Sequence, residues 1–158
     1  MANQDVVSVE RVVHAPAAEI FTLLATPSRH REFDGSGTVR NARGGDGGPV
    51  GLGDRFGMSM KMGVPYSMES EVVEFEQDRL IAWRTTGPTR IGRVVGGRVW
   101  RYELEPVDGG TLVRETWDIT GESAFTKPGV RRLASKTLKD MSATLDRLED
   151  LLGDASED

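Results

Sequence analysis

Residues 128–152, PGVRRLASKTLKDMSATLDRLEDLL, decide the fold of this chain. Apolar or small side chains recur there at steps of three and four, which predicts one continuous α-helix. The predicted buried stripe comprises Val130, Leu133, Ala134, Thr137, Leu138, Met141, Leu145, Leu148 and Leu152. Pro128 suits a first helical turn, with Thr126 or Lys127 as its cap, and Gly153 is a typical C-terminal stop.

The other face of this helix is charged, which predicts that it faces solvent. It carries Arg131, Arg132, Lys136, Lys139, Asp140, Asp146, Arg147 and Glu149. A helix of about 24 residues is roughly 36 Å long. No second helical pattern in the chain could cover such a stripe, so we expect a broad curved sheet as its partner.

The remaining sequence supplies the strands of that sheet. A β-branched run, 6–13, predicts a first strand with Val7, Val9 and Val13 on one face. Two short helices are predicted to follow it, Ala17–Leu24 and a second that ends near Phe33. Further strands are predicted over Thr38–Ala42, Asp54–Met62, Tyr66–Phe75, Arg79–Thr85, Arg98–Pro106 and Thr111–Thr120. The doublet Val72-Val73 breaks the alternation of its strand and predicts a bulge there.

Strands joined by hairpins are antiparallel, and one face of such a sheet needs a cover that the long helix supplies. The predicted fold is therefore α+β, a helix-grip fold: a curved antiparallel sheet of about six to seven strands wrapped on a long C-terminal helix, with two short helices after the first strand. We expect residues 1–153 to form a single domain and the acidic tail, 154–158, to be disordered.

Composition narrows the function classes. The chain has 158 residues, a net charge of −5, scattered basic residues and no cysteine. This argues against nucleic acid and integral membrane association as partners, and it excludes disulfides and thiolate sites. The first five residues lack the plan of a signal peptide. Sixteen arginines against four lysines indicate a GC-rich genome, so we expect a bacterial, cytoplasmic protein, a monomer or homodimer.

Several segments in this order resemble a known superfamily. They are VVHAPAAEIF (12–21), TPS (26–28), GDRF (53–56), VVEF (72–75), LIAW (80–83) and GGTLV (109–113). They resemble the START-like helix-grip (SRPBCC) superfamily, and more narrowly its bacterial polyketide cyclase/dehydrase and lipid-transport group. The resemblance implies a deep cavity between sheet and long helix that holds a lipid, a polyketide or another hydrophobic molecule. Phe33 stands where that group commonly has tryptophan, and the loop 44–53 is unusually rich in glycine, so ligand specificity is not carried over.

The predicted inward faces of the strands are rich in methionine and aromatic residues, which suit an adaptable apolar ligand wall. The alternative is that they only fill a core. Four of the methionines, Met58, Met60, Met62 and Met68, form a cluster on these faces. The predicted ligand-binding residues are Phe33, Phe56, Met58, Met60, Met68, Ile81, Trp83, Trp100, Trp117, Thr137 and Met141.

Glu115 is the main polar anomaly, because alternation along 111–120 places it on the inward face among apolar neighbours. Burial raises the pKa of a carboxyl group, which suits a general acid or base. Tyr102 and Tyr66 could present phenols to a ligand carbonyl. The alternatives are an internal partner for Glu115, such as Arg98, or a local bulge, and simple packing for both tyrosines.

The sequence contains no motif for a metal site, a phosphate-binding loop or a serine hydrolase. His14 and His30 have no third ligand at metal spacing, so we expect no metal and no cofactor, and we expect both histidines at the surface. Asp46 lies in a glycine-rich loop without a phosphate-binding motif, and GxSxG is absent.

Three functions follow from these observations. The first is binding of a hydrophobic small molecule. The second is a polyketide cyclase/dehydratase-like enzyme in which Glu115 transfers a proton and Tyr102 or Tyr66 stabilises an enolate. The third is a ligand-gated regulatory module that binds another protein.

Overall fold

The computed structural model describes residues 5–34, 39–43, 48–62, 64–86, 96–122, 124 and 126–153, and within these ranges the backbone alone at 39–43, 58–62, 64–67 and 96. The strands are β1 Val6–Val13, β2 Val39–Arg43, β3 Arg55–Met62, β4 Val64–Glu76, β5 Leu80–Thr86, β6 Gly96–Val107 and β7 Gly110–Asp118. The helices are α1 Ala17–Leu24, α2 His30–Phe33, α3 Lys127–Arg131 and α4 Ala134–Leu148. A 3₁₀ turn, Pro27–Arg29, precedes α2, and a π-helical turn, Glu149–Gly153, follows α4.

The seven strands form one antiparallel sheet in the order β1-β7-β6-β5-β4-β3-β2. Strands β2 to β7 are neighbours in chain order, as hairpin connections require, and β1 closes the far side by pairing with β7. Helices α3 and α4 cover one face of this sheet. The predicted helix-grip fold is confirmed.

The predicted bulge lies in β4, where the register with β5 shifts between Val72 and Glu74. Val72 pairs with Trp83, and Glu74 pairs with Ala82, so one residue of β4 is inserted. A bulge of this kind increases local twist and bends the strand, which favours a curved sheet.

The predicted long C-terminal helix is present as α4, but the expectation that one helix runs without a break over 128–152 is wrong. The helix is interrupted at Arg132 and Leu133, whose amides bond the carbonyls three residues back, at 3.3 and 2.9 Å. These tight turns rotate Leu133 off the buried stripe, and it is 41% exposed. Val130 and Ala134 on either side remain buried, so the stripe continues through the break.

The core lies between the inner face of the sheet and the helices. One cluster joins α1, α2 and the end of α4 to strands β3 to β7, and a second joins Trp117 and Ile119 to Val130, Ala134 and Met141. Each fully buried large apolar side chain stabilises the fold by about 1.5–3 kcal/mol. Within the described ranges, no helix is long and apolar enough to cross a membrane. The predicted acidic tail lies outside the described residues.

Candidate ligand site

Glu115 and Tyr102 form a buried hydrogen-bonded pair on β7 and β6, the two strands next to β1 in the sheet. They are direct partners across β6 and β7, and each is almost fully buried. The Tyr102 hydroxyl donates to Glu115 Oε2 at 3.0 Å. The inward orientation predicted for Glu115 is confirmed. Arg98 is not its partner, because the Arg98 Nε lies 4.0 Å from Glu122 Oε2 instead.

The pairing of these two residues follows from a local turn. The tight turn at Asp108 and Gly109, with Gly109 at φ 84°, joins β6 to β7 and makes Val107 face Gly110. Five residues before Val107 on β6 is Tyr102, and five residues after Gly110 on β7 is Glu115, so the two residues face each other. The residues Asp108-Gly109-Gly110 are typical of a hairpin turn, so the sequence was sufficient to predict this contact.

Burial raises the pKa of Glu115 to about 8, and the negative charge of Asp34 adds to that effect, while the Tyr102 hydrogen bond opposes it. Glu115 is therefore mainly a neutral carboxylic acid at pH 7, able both to donate and to accept. Burial also raises the pKa of Tyr102, as does the neighbouring Glu115, so the phenol keeps its proton. Glu115 Oε1 is buried and has no hydrogen-bond partner among the described residues.

A row of aromatic rings leads from α2 to this pair. The Trp83 ring packs against Tyr102 with centroids 5.6 Å apart, and the His30 ring stacks on the other end of the row, 5.0 Å from Trp83. Phe33 and Phe56 meet His30 edge-on at 5.3 and 5.8 Å. These contacts bring four predicted site residues into one continuous surface: Phe33, Phe56, Trp83 and Tyr102.

His30 is the site residue that the sequence prediction placed wrongly. It was expected at the surface and is 5% exposed. Its Nε2–H donates to the carbonyl of Leu24 at 2.7 Å. Burial lowers its pKa to about 4, against that hydrogen bond and the charge of Asp34, so the ring is neutral at pH 7. The signal that could have found it is its spacing of three from Phe33, which puts both on one face of a helix.

The expectation for His14 is confirmed. It is exposed, and its Nδ1 lies 2.8 Å from Glu149 Oε1. Within the described part of the chain, no group of three or more His, Asp or Glu side chains is arranged to hold a metal ion.

A second apolar group lies further along β7. Trp117 is buried in one core cluster with Met141 of α4, and its ring centroid is 6.5 Å from that of the half-buried Trp100. Ile81 and Thr137 are also buried, and Met68 is half-buried.

Three predicted site residues have only their backbone described. Met58 pairs with Met68 across β3 and β4, and Met60 pairs with Tyr66. Strand β4, which carries Tyr66, is separated from β7 and Glu115 by β5 and β6. The roles predicted for Met58, Met60 and Tyr66 stay predictions.

A family model described as polyketide cyclase/dehydrase and lipid transport matches residues 4–153. The chain belongs to this family. Among curated proteins, the uncharacterized protein Rv0088 of Mycobacterium tuberculosis strain H37Rv is 37% identical over an alignment of 147 residues that covers 87% of this chain and 60% of the relative. The uncharacterized protein MT0096 of strain CDC 1551 is 36% identical with the same coverage. The chain thus spans about 60% of the length of these two relatives.

Solved structures share the fold of this family member at low identity. Protein NE0264 of Nitrosomonas europaea has a TM-score of 0.71 at 15% identity, with 98% of both chains covered. Protein CV1439 of Chromobacterium violaceum has a TM-score of 0.67 at 13% identity, covering 98% of this chain and 99% of that one. DynU16, described as a protein in the dynemicin biosynthetic locus, has a TM-score of 0.59 at 18% identity, covering 92% of this chain and 46% of that one. At these identities the likeness establishes the fold alone.

Proposed function

We propose that this protein binds a hydrophobic small molecule, of lipid, polyketide or aromatic type, between the inner face of the sheet and the C-terminal helix. The observation that carries the proposal is Glu115 Oε1, a buried carboxyl oxygen with no hydrogen-bond partner among the described residues. Leaving such a group unsatisfied costs about 1–3 kcal/mol, and folded proteins keep few of them. A ligand hydroxyl or carbonyl bound to the neutral Glu115 would remove that cost.

The aromatic row supports an apolar body for this ligand. Trp83, Phe33 and Phe56 offer large apolar surfaces, and His30 between them is uncharged at pH 7 because burial lowers its pKa to about 4. Ligand sites are typically apolar and aromatic with a few placed polar groups, which is the composition around Glu115 and Tyr102. The description of the family, with its mention of lipid transport, agrees with this function. The lack of cysteine and the arginine bias support a bacterial cytoplasm as its location.

A second candidate function is proton transfer to a bound substrate, as in a cyclase or dehydratase. The observation that favours it is the pKa of Glu115, which burial raises to about 8. A carboxyl group with a pKa near the working pH can act as general acid and general base. Tyr102, and in this hypothesis Tyr66, would stabilise an enolate oxygen.

Native mass spectrometry of gently purified protein, followed by organic extraction, tests the binding function. We expect a discrete apolar adduct that the extraction identifies by class, and the same spectrum gives the oligomeric state. An adduct-free mass, with no uptake from a panel of fatty acids, sterols and polyketides, would contradict the proposal.

Replacing Glu115 by Gln separates the two functions. A binding protein should change only its affinity, whereas an enzyme should lose turnover while it keeps most of its binding. Glu105→Gln is the matched control, since Glu105 is exposed on β6. A turnover rate that Glu115→Gln leaves unchanged would rule out the catalytic role.

A further inference from the structure

Trp117 Nε1 is a second buried polar atom without a hydrogen-bond partner in the described part of the chain. The residue is 1% exposed. An indole N–H can only donate, and a buried tryptophan normally finds an acceptor for it. The fold therefore holds a donor whose acceptor the described residues do not supply.

This donor and Glu115 Oε1 belong to the same region of the protein. Glu115 and Trp117 are two residues apart on β7, so their side chains leave the same face of the sheet. Their Cα atoms are roughly 6.6–6.8 Å apart at the usual rise of a strand. On β6 their partners are Tyr102 and Trp100, which lie on that face as well.

Helix α4 contributes a third polar group opposite this part of β7. Thr137 lies on the buried stripe between Ala134 and Met141, both of which pack in the same cluster as Trp117. The buried Thr144 bonds its hydroxyl back to the carbonyl of Asp140 at 2.9 Å. The Thr137 hydroxyl makes no such bond with any described residue. Thr137 thus adds a hydroxyl, able to donate or accept, on the helix face that carries Ala134 and Met141.

The charges nearby favour a neutral ligand. Asp34 already acts unfavourably on the ionised form of Glu115. Arg98, a cation on the inner face of β6, is 4.0 Å from the buried carboxylate of Glu122. Arg98 and Glu122 offset each other's charge at this distance, so an anionic ligand would find no net positive charge among these groups, whereas a carbonyl oxygen needs only a donor.

We propose that the bound molecule carries two neutral oxygen functions, one held by Glu115 and a second, a hydrogen-bond acceptor such as a carbonyl, held by Trp117 Nε1. This inference rests on the proposed function and narrows it. The two oxygens are roughly 5–8 Å apart, given the spacing of the two residues on the strand. A hydrocarbon, or a lipid with a single polar end, would leave one of the two buried groups unsatisfied. An ordered water on Trp117 Nε1 is the competing explanation.

The test compares three ligands that share one bicyclic skeleton. 6-Hydroxy-1-tetralone has both oxygens, 1-tetralone has only the carbonyl, and 5,6,7,8-tetrahydro-2-naphthol has only the hydroxyl. Titrations of the unmodified protein, followed by calorimetry and by the indole N–H signals in ¹⁵N NMR spectra, give affinity and contact together. Trp117→Phe identifies the Trp117 signal and removes the donor, and the naphthol, which has no carbonyl to accept from the indole, is the matched control ligand.

We expect the two-oxygen ligand to bind at least tenfold more tightly than either single-oxygen ligand, and to move the Trp117 indole signal. Trp117→Phe should lower the affinity about tenfold for the two ligands with a carbonyl and change it little for the naphthol. Equal binding of all three ligands, or a Trp117 signal that stays in place, would overturn this inference and leave the proposed function intact. No binding of any of them would count against the proposed function itself. The indole signals are read on the unmodified protein, which has three tryptophans, so Trp83→Phe and Trp100→Phe assign the Trp117 signal by elimination where Trp117→Phe fails to fold.

Discussion

The imidazole of His30 connects three parts of the chain that are distant in sequence. Its Nε2–H satisfies the Leu24 carbonyl at the end of α1, where the helix itself offers no partner. One face of the ring stacks on Trp83 of β5, and Phe56 of β3 meets it edge-on. A charged ring would lose its hydration in this apolar site, which is why burial lowers the pKa of His30 to about 4. His30 thus holds the short helices against the aromatic row beside Glu115.

Replacing His30 by Phe should therefore destabilise the protein although the new ring is apolar. The Leu24 carbonyl would be left buried without its donor, a loss of about 1–3 kcal/mol in the free energy of unfolding. Urea denaturation at pH 7 measures it. His14→Phe is the control, since His14 is exposed and its surface contact with Glu149 is worth at most about 1 kcal/mol. Equal losses in the two variants would contradict a structural role for His30.

At the scale of elements, the interruption between α3 and α4 divides residues that the sequence pattern treats alike. Leu133 and Leu145 both fit the predicted apolar stripe, but Leu133 is exposed and Leu145 is 1% exposed. Leu145→Ala should lower the free energy of unfolding by about 2–5 kcal/mol through lost burial and a residual cavity. Leu133→Ala should change it by less than about 1 kcal/mol. Similar losses measured by denaturation would show that the helix is continuous in solution.

The start of β7 depends on a close approach between two strands. A Cβ at Gly110 would collide with the carbonyl oxygen of Val13, at the point where β1 and β7 end their pairing. Gly110→Ala should therefore cost about 1–3 kcal/mol through forced backbone shifts. Gly129→Ala in α3 is the control, because a Cβ there meets nothing within 4 Å. It should leave stability unchanged or raise it by up to about 1 kcal/mol. A Gly110 variant as stable as the control, by thermal denaturation, would contradict the close contact.

The sequence predictions succeeded where a contact depends on a local pattern and failed where it depends on tertiary packing. Alternation along single strands predicted the inward face of β7, and a two-residue turn fixes its register with β6, so the Tyr102–Glu115 contact was within reach. The interruption at Leu133 could not be predicted from the sequence, because Val130 and Ala134 keep the helical period whether or not the turn between them tightens. His30 was hidden by its charged neighbours in the run RHRE, 29–32. The approach of Arg98 to Glu122 depends on how the end of β7 meets β6, which no local pattern encodes.

At the scale of the whole molecule, two buried titratable groups act on stability in opposite directions. The pKa of Glu115 is raised from 4.5 to about 8, mainly by burial, so between these values the folded state binds a proton that the unfolded state has released. Stability from Glu115 is therefore full below pH 4.5 and is lost as pH rises to about 8. The pKa of His30 is lowered from 6.5 to about 4, so its contribution is full above pH 6.5 and is lost as pH falls toward 4. The surface carboxyls Asp5 and Glu32, whose pKa values the hydrogen bonds of Arg131 and Arg29 lower, act only at lower pH.

These opposite slopes predict an asymmetric pH profile for the free energy of unfolding. Between pH 4.5 and 6.5 the two contributions cancel and stability should be level, whereas from pH 6.5 to 8 only Glu115 titrates and stability should fall by roughly 2 kcal/mol, at about 1.4 kcal/mol per pH unit for one proton. Urea denaturation at half-unit steps of pH measures this. Glu115→Gln should abolish the alkaline fall and uncover the rise due to His30 between pH 4 and 6.5. A wild-type profile that stays level to pH 8 would mean that Glu115 is ionised in the folded protein, and the neutral acid on which ligand binding is proposed to depend would not exist.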